Sequence, residues 1–228
     1  MLDVKHYVGL DLGQVSDYTA LVTLRREQEL PDPPKPKTFS AEALDWKEII
    51  SPPVVKPQLA RYYCNIAERF ELGMSYTVMA NNLCRLFDDV RFAKQTLVVD
   101  GTGVGRPVVD MFRKARPNCR ILPVTITGGS QALGQTSVDE YGYWHVPKKE
   151  LVGSVQALLG TGRLEVAPDL RHAAVLVSEM KSFRYKINNE TAHVSYEAWR
   201  DREHDDLVLA LALAAWAGER GRKELWVL

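Results

Sequence analysis

From Leu207 to Ala217 the chain is an unbroken run of Leu, Val and Ala with one Trp, headed directly by Glu203-His204-Asp205-Asp206. A helix that is apolar on every side has to be enclosed. The run is well short of the ~18 residues that a membrane span needs, so the enclosure is other protein. This segment therefore demands a layered fold around it, and it carries two consecutive acids to the rim of the core. Two further acids sit in comparable places. Asp11 ends the apolar stretch Tyr7-Val8-Gly9-Leu10, and Asp100 ends Leu97-Val98-Val99. A buried carboxylate without a partner is expensive. Three such positions, far apart in sequence, make sense together if they converge on a divalent cation.

At 228 residues and 46% hydrophobic content, the chain has material for one large domain. Bases and acids balance at 29 each, so overall charge gives no argument for or against a nucleic-acid partner. Cys64, Cys84 and Cys119 are scattered, without C-x-x-C or zinc spacing. They read as reduced thiols of a cytoplasmic protein. Met1-Leu2-Asp3-Val4-Lys5 lacks the apolar core of a signal peptide, and a soluble protein is expected.

Along the chain, Val4–Leu10 reads as a buried strand. Tyr18–Leu24 reads as a second strand, paired with the first as a hairpin. The proline-rich stretch from about Gln28 to Pro57 reads as a surface insertion in a single domain of residues 1–228, with a short helix at Ser40–Ile50. Arg61–Leu72 suggests a third strand, and Ser75–Phe87 has helical spacing. Thr96–Asp100 has the form of a central strand covered on both faces. After the glycine-rich turn Gly101–Gly105, Pro107 opens a helix to about Arg116. Arg120–Thr127 is another strand, and Val138–Val146 a polar strand or loop. Lys148–Leu159 and Arg171–Ser182 read as helices, and Arg184–Tyr196 as a hairpin around Asn188-Asn189. The last helix starts near Asp205. The order implies an α/β fold, a mixed sheet with helices on both faces.

Strand ends are rigid and open at the sheet rim, which suits them to carry metal ligands. Mg²⁺ and Mn²⁺ take oxygen ligands and keep several waters, so a few carboxylates suffice. Two such ions activate a water and stabilise the attacking and leaving oxygens of a phosphodiester. Asp11, Asp100 and Asp206 are the expected ligands and catalytic residues, with Asp205 as a further ligand or supporting partner of Asp206. Taken alone, the Asp205-Asp206 pair also reads as helix capping. Asp17, across the first hairpin, is either within reach of the same metal or an Asx-turn residue. His204, beside the acids, reads as a phosphate contact, a proton relay or an exposed side chain, and a lone histidine is usually the last.

The segments Gly9-Leu10-Asp11-Leu12-Gly13 with Asp17-Tyr18-Thr19-Ala20, Val99-Asp100-Gly101-Thr102-Gly103-Val104-Gly105, Val146-Pro147-Lys148-Lys149-Glu150-Leu151-Val152 and His204-Asp205-Asp206-Leu207-Val208-Leu209-Ala210-Leu211-Ala212 carry a resemblance. As an ordered set they resemble the C-terminal nuclease domain of the large terminase subunit of tailed bacteriophages, in the ribonuclease H-like superfamily. The resemblance implies a ribonuclease H-like sheet and Mg²⁺- or Mn²⁺-dependent endonucleolytic cutting of double-stranded DNA at the start and end of genome packaging. It carries the acidic ligands over to Asp11, Asp100 and Asp205/Asp206, and a flexible hairpin near the cleft to Arg184–Tyr196. Implied partners are a motor ATPase domain, a small terminase subunit and a portal, in the bacterial host cytoplasm, with no membrane. Two departures stand out. The sequence contains no G-x-x-x-x-G-K-[ST] loop, so the motor would have to come from elsewhere, and the proline-rich insertion has no place in the family pattern.

Arg106, Lys148, Lys149, Arg184 and Lys186 flank the acids or the expected hairpin and are the candidate phosphate contacts. No base-reading element is evident, so little sequence preference is expected. Two rival readings remain. The glycine-flanked Asp11 and Asp100 also look like phosphate loops of actin and sugar-kinase ATPases, although that fold needs two such domains. A catalytically silent DNA-binding or assembly module of the same fold is the other.

Overall fold

The structure, a computed structural model, describes residues 1–13, 17–30, 58–103, 105–128, 136–188 and 205–224. Among these residues, the strands are β1 (Leu2–Asp11), β2 (Ala20–Glu29), β3 (Arg61–Arg69), β4 (Thr96–Asp100), β5 (Arg120–Thr127), β6 (Ser137–Val138), β7 (Trp144–Pro147) and β8 (Leu164–Val166). The helices are α1 (Tyr76–Asp88), α2 (Gly105–Ala115), α3 (Lys148–Gly160), α4 (Ala173–Asn188) and α5 (Asp206–Glu224). The strands form one eight-stranded sheet in the order β6-β7-β5-β4-β1-β2-β3-β8. β1 and β2 are an antiparallel hairpin, and β3 runs antiparallel to β2. On the other side, β1, β4, β5 and β7 are consecutive parallel neighbours.

Side-chain alternation along each strand divides the interior into two cores. Val8, Leu10, Leu97 and Val99 face α1 and α2 across one surface of the sheet. Tyr7, Val22, Leu24 and Val98 face the opposite surface, where α5 lies with α3 and α4 on its flanks. This accounts for the uniformly apolar run at the end of the chain. Sheet on one side and helices on the others leave it no wet face, and every residue from Asp206 to Gly218 is buried. α5 also comes very close to β1. A Cβ added to Gly9 would sit 1.9 Å from the Ala210 carbonyl oxygen, so only glycine lets the helix lie there. Gly13 serves the β1–β2 turn in the same way, since a Cβ would lie 2.2 Å from the Asp17 carbonyl oxygen.

Local signals act where they are expected to. Ser75 caps α1 by accepting the Val78 N–H, and Pro107 lies in the first turn of α2. β4 and β5 have the boundaries read from the sequence.

Three readings change. Arg184–Asn188, expected as the first strand of a hairpin, is the last part of α4. No glycine or proline interrupts Arg171–Asn188, so the helix propagates past Ser182; residues 189–196 lie outside the described residues. Gln28 and Glu29, placed in the insertion, finish β2. The rest of that region, 31–57 with the expected helix at Ser40–Ile50, lies outside the described residues. Finally, the polar segment 138–146 resolves into β6 and β7 around a turn, and the three-residue β8 had no sequence signal.

Candidate metal centre

The register of the sheet brings two of the acids together. β1 and β4 are adjacent and parallel, with Leu10 paired to Val99, so the next residues, Asp11 and Asp100, stand side by side at the strand ends. Alternation puts Asp11 on the same surface as Tyr7 and Gly9, and Asp100 on the same surface as Val98. That surface carries α5, whose first residue is Asp206. All three carboxylates are buried, with 9%, 6% and 5% exposure for Asp11, Asp100 and Asp206. Asp205, just ahead of the helix, is half-buried, and its carbonyl accepts the Leu209 N–H at 2.9 Å.

The acids act on one another. Burial pushes the Asp11 carboxyl well above the usual carboxylate range, and the charges of Asp100, Asp206 and Asp205 push it further. The Lys148 ammonium pulls the other way. Asp100 is also raised by burial, opposed by hydrogen bonds from Thr102 and Asp11 and by the charge of Lys148. The Thr102 N–H donates to Asp100 Oδ1 at 2.7 Å, and Thr102 Oγ1 accepts the Ile126 N–H at 2.7 Å. Among the described residues no three His, Cys, Asp or Glu side chains form a ready metal cage. The arrangement is a cluster of oxygen donors whose like charges oppose one another.

A fourth buried acid backs this cluster. Glu179 of α4, 7% exposed, accepts the Val208 N–H at 2.9 Å and the Arg69 Nη2 at 2.5 Å. Arg69, on β3, also lies 3.5 Å from Asp206 Oδ2, with its guanidinium over the Tyr18 ring at 5.1 Å. Burial pushes the Glu179 carboxyl up to about 7; the Val208 amide and Arg69 pull it down, and Asp206 and Asp205 push it up.

The remaining sequence candidates divide. Lys148, the first residue of α3 and half-buried, lies close enough to act on Asp11 and Asp100. Lys149 is exposed beside it. Arg106 is exposed but engaged, 4.0 Å from the Tyr141 ring centre and 3.3 Å from Asp139 Oδ2. Asp17 is exposed on the turn into β2. Arg184 and Lys186 lie in the last turns of α4, and their side chains, like all of His204, fall outside the described residues. Glu179 and Arg69 were missed. One signal for Glu179 was available, since it lies three residues after Leu176 and one before Met180, on the apolar face of its helix.

Strands in the order β3-β2-β1-β4-β5, with β2 reversed and helices on both faces, define a ribonuclease H-like fold. The family model for the terminase RNaseH-like domain matches residues 54–217, well over half of the chain, and the chain belongs to that family. Asp100, Lys148, Glu179, Asp205 and Asp206 fall inside the matched stretch, and Asp11 precedes it. Two solved structures are similar. One is the large terminase nuclease from thermophilic phage G20c, at 16% identity and a TM-score of 0.48, covering 93% of this chain and 81% of that one. The other is the same nuclease with bound zinc, at 17% identity and a TM-score of 0.47, covering 93% and 80%. No curated protein sequence matches the chain.

Proposed function

We propose that the protein is a Mg²⁺- or Mn²⁺-dependent endonuclease that cuts double-stranded DNA, as in phage genome packaging. One observation carries this reading. Asp11 and Asp100, at the ends of the paired strands β1 and β4, and Asp206, at the start of the helix packed on the same surface, are buried with their charges acting on one another. The donors are all carboxylate oxygens, which suit hard dications, and a dication would relieve the repulsion among them. Asp11, Asp100 and Asp206 would hold two ions, with Asp205 as a further ligand or support for Asp206. Bound there, the metal supplies an acidified water and charge stabilisation at the reacting phosphate.

The rest falls to the protein. The paired ends of β1 and β4 fix the spacing of Asp11 and Asp100, and the Thr102 N–H orients Asp100. Lys148 holds both acids toward the ionised form in which they bind a cation. Lys149 and Arg106, both exposed, serve as phosphate contacts, with Arg184 and Lys186 further along α4. Such contacts carry no sequence information, so cutting shows little sequence preference. The motor ATPase, small terminase subunit and portal are the partners in this reading, and the host cytoplasm its location. Among the described residues no helix is long and apolar enough to cross a membrane.

Nicking of supercoiled plasmid with Mg²⁺ or Mn²⁺ tests the proposal. Wild type should nick only with metal, and Asp11→Ala and Asp100→Ala should lose activity by at least about a hundredfold while melting cooperatively. Retained nicking in both variants, or none by wild type with either metal, refutes it. ATP turnover without nicking would favour the kinase-like reading instead.

A further inference from the structure

The first turn of a helix has backbone N–H groups with no intrahelical partner, and a residue just ahead of the helix commonly serves them. At α5 the Val208 N–H is bonded instead by a side chain from another helix, Glu179 of α4, at 2.9 Å. The second carboxylate oxygen of Glu179 takes the Arg69 guanidinium from β3. That guanidinium in turn lies 3.5 Å from Asp206 Oδ2 and over Tyr18, which follows the β1–β2 turn. One buried carboxylate thus joins α4, α5, β3 and that turn behind the acid cluster. We propose that Glu179 is a positioning residue of the metal centre: by tying the Val208 amide and Arg69 together it sets where Asp206 stands relative to Asp11 and Asp100. The inference rests on the reading of Asp206 as a metal ligand.

Supporting groups of this kind are typically worth about 10–100-fold in metal affinity. Two variants separate positioning from mere stability. Glu179→Ala removes the acceptor for Val208 and the partner of Arg69. Glu179→Gln keeps a carbonyl oxygen for Val208 but loses the charge. The measurements are Mn²⁺ affinity by titration calorimetry, melting temperature without metal, and plasmid nicking against Mn²⁺ concentration. Glu179→Ala should weaken Mn²⁺ binding by about tenfold or more, with nicking restored at high metal, and Glu179→Gln should recover part of that affinity. Should Glu179→Ala not fold, Glu179→Gln decides alone, with a loss of about threefold or more expected. A lower melting temperature with unchanged Mn²⁺ affinity means Glu179 only stabilises the fold, and overturns the proposal. Asp100→Ala is the control. If it binds Mn²⁺ like wild type, or wild type binds none, the metal reading fails and this inference with it. If it loses Mn²⁺ while both Glu179 variants bind normally, only the positioning role fails.

Discussion

The approach of α5 to β1 at Gly9 makes Gly9→Ala the most demanding single-methyl test of how the fold builds the site. The new Cβ would lie 1.9 Å from the Ala210 carbonyl oxygen, 2.8 Å from its carbon and 3.1 Å from the Ala214 nitrogen. The first contact is roughly 1.5 Å inside ordinary van der Waals separation. All three atoms belong to helix backbone, so no side chain can swing aside and the helix must move as a body. A contact this close to helix backbone belongs at the upper end of the range for overpacking, about 3 kcal/mol. The smaller unfolded-state entropy of alanine returns about 0.4–1 kcal/mol, leaving a net loss on the order of 2 kcal/mol. In a domain of this size that corresponds to a fall of about 4–8 °C in melting temperature. Gly9 is two residues from Asp11, and Ala210 is one helical turn from Asp206, so the same displacement separates Asp11 from Asp206. A misplacement of about 1 Å can cost about a hundredfold in rate. Thermal unfolding with plasmid nicking reads both effects. A Gly9→Ala protein with wild-type melting temperature and wild-type nicking would refute the packing argument.

Two further outcomes follow from groups away from the cluster. Burial pushes the Cys64 and Cys119 thiols up to about 12, leaving about one part in ten thousand as thiolate at pH 8. Iodoacetamide should therefore label both far more slowly in the folded protein than in urea; equal rates would show that the fold does not suppress their thiolates. Glu150, on α3, accepts hydrogen bonds from Trp216 Nε1 at 2.9 Å and Arg220 Nη2 at 2.6 Å. Burial pushes its carboxyl up, but the bonds from Thr136, Arg220 and Trp216 outweigh that and hold it below its ordinary value. A lowered folded-state value gives stability that is present above the unfolded value and lost as pH falls through the folded one. Glu150→Gln should cost about 1–2 kcal/mol at pH 7 in urea unfolding, discounted for partial exposure. The gap to wild type should narrow as pH falls below the ordinary carboxylate range, and a gap that stays constant would refute the assignment.

Much of the architecture was written locally. The short apolar runs that end in Asp11 and Asp100, the cap at Ser75 and the proline of α2 lie in the covalent neighbourhood of the elements they specify. Readings failed where the local signal was ambiguous or missing. The alternation from Arg184 to Asn188 suits a strand, yet an uninterrupted helix upstream extends through it. β8 has only three residues, too short to carry a pattern. Lys148, expected to flank the acids, stands where its charge acts on Asp11 and Asp100, because the start of α3 follows a strand of the same parallel sheet. The pairing of Glu179 with Arg69 was invisible because it spans 110 residues of sequence.

The sequence by itself determined that three acids would stand at the rims of buried elements, since hydrophobic periodicity and burial cost act along the chain. Only the tertiary structure decided that the rims coincide. Parallel pairing of β1 with β4, the register that sets Asp11 beside Asp100, and the glycine that lets α5 bring Asp206 down onto them are non-local contacts. Their energy exists only once the whole sheet has formed, and no stretch of the chain encodes it alone.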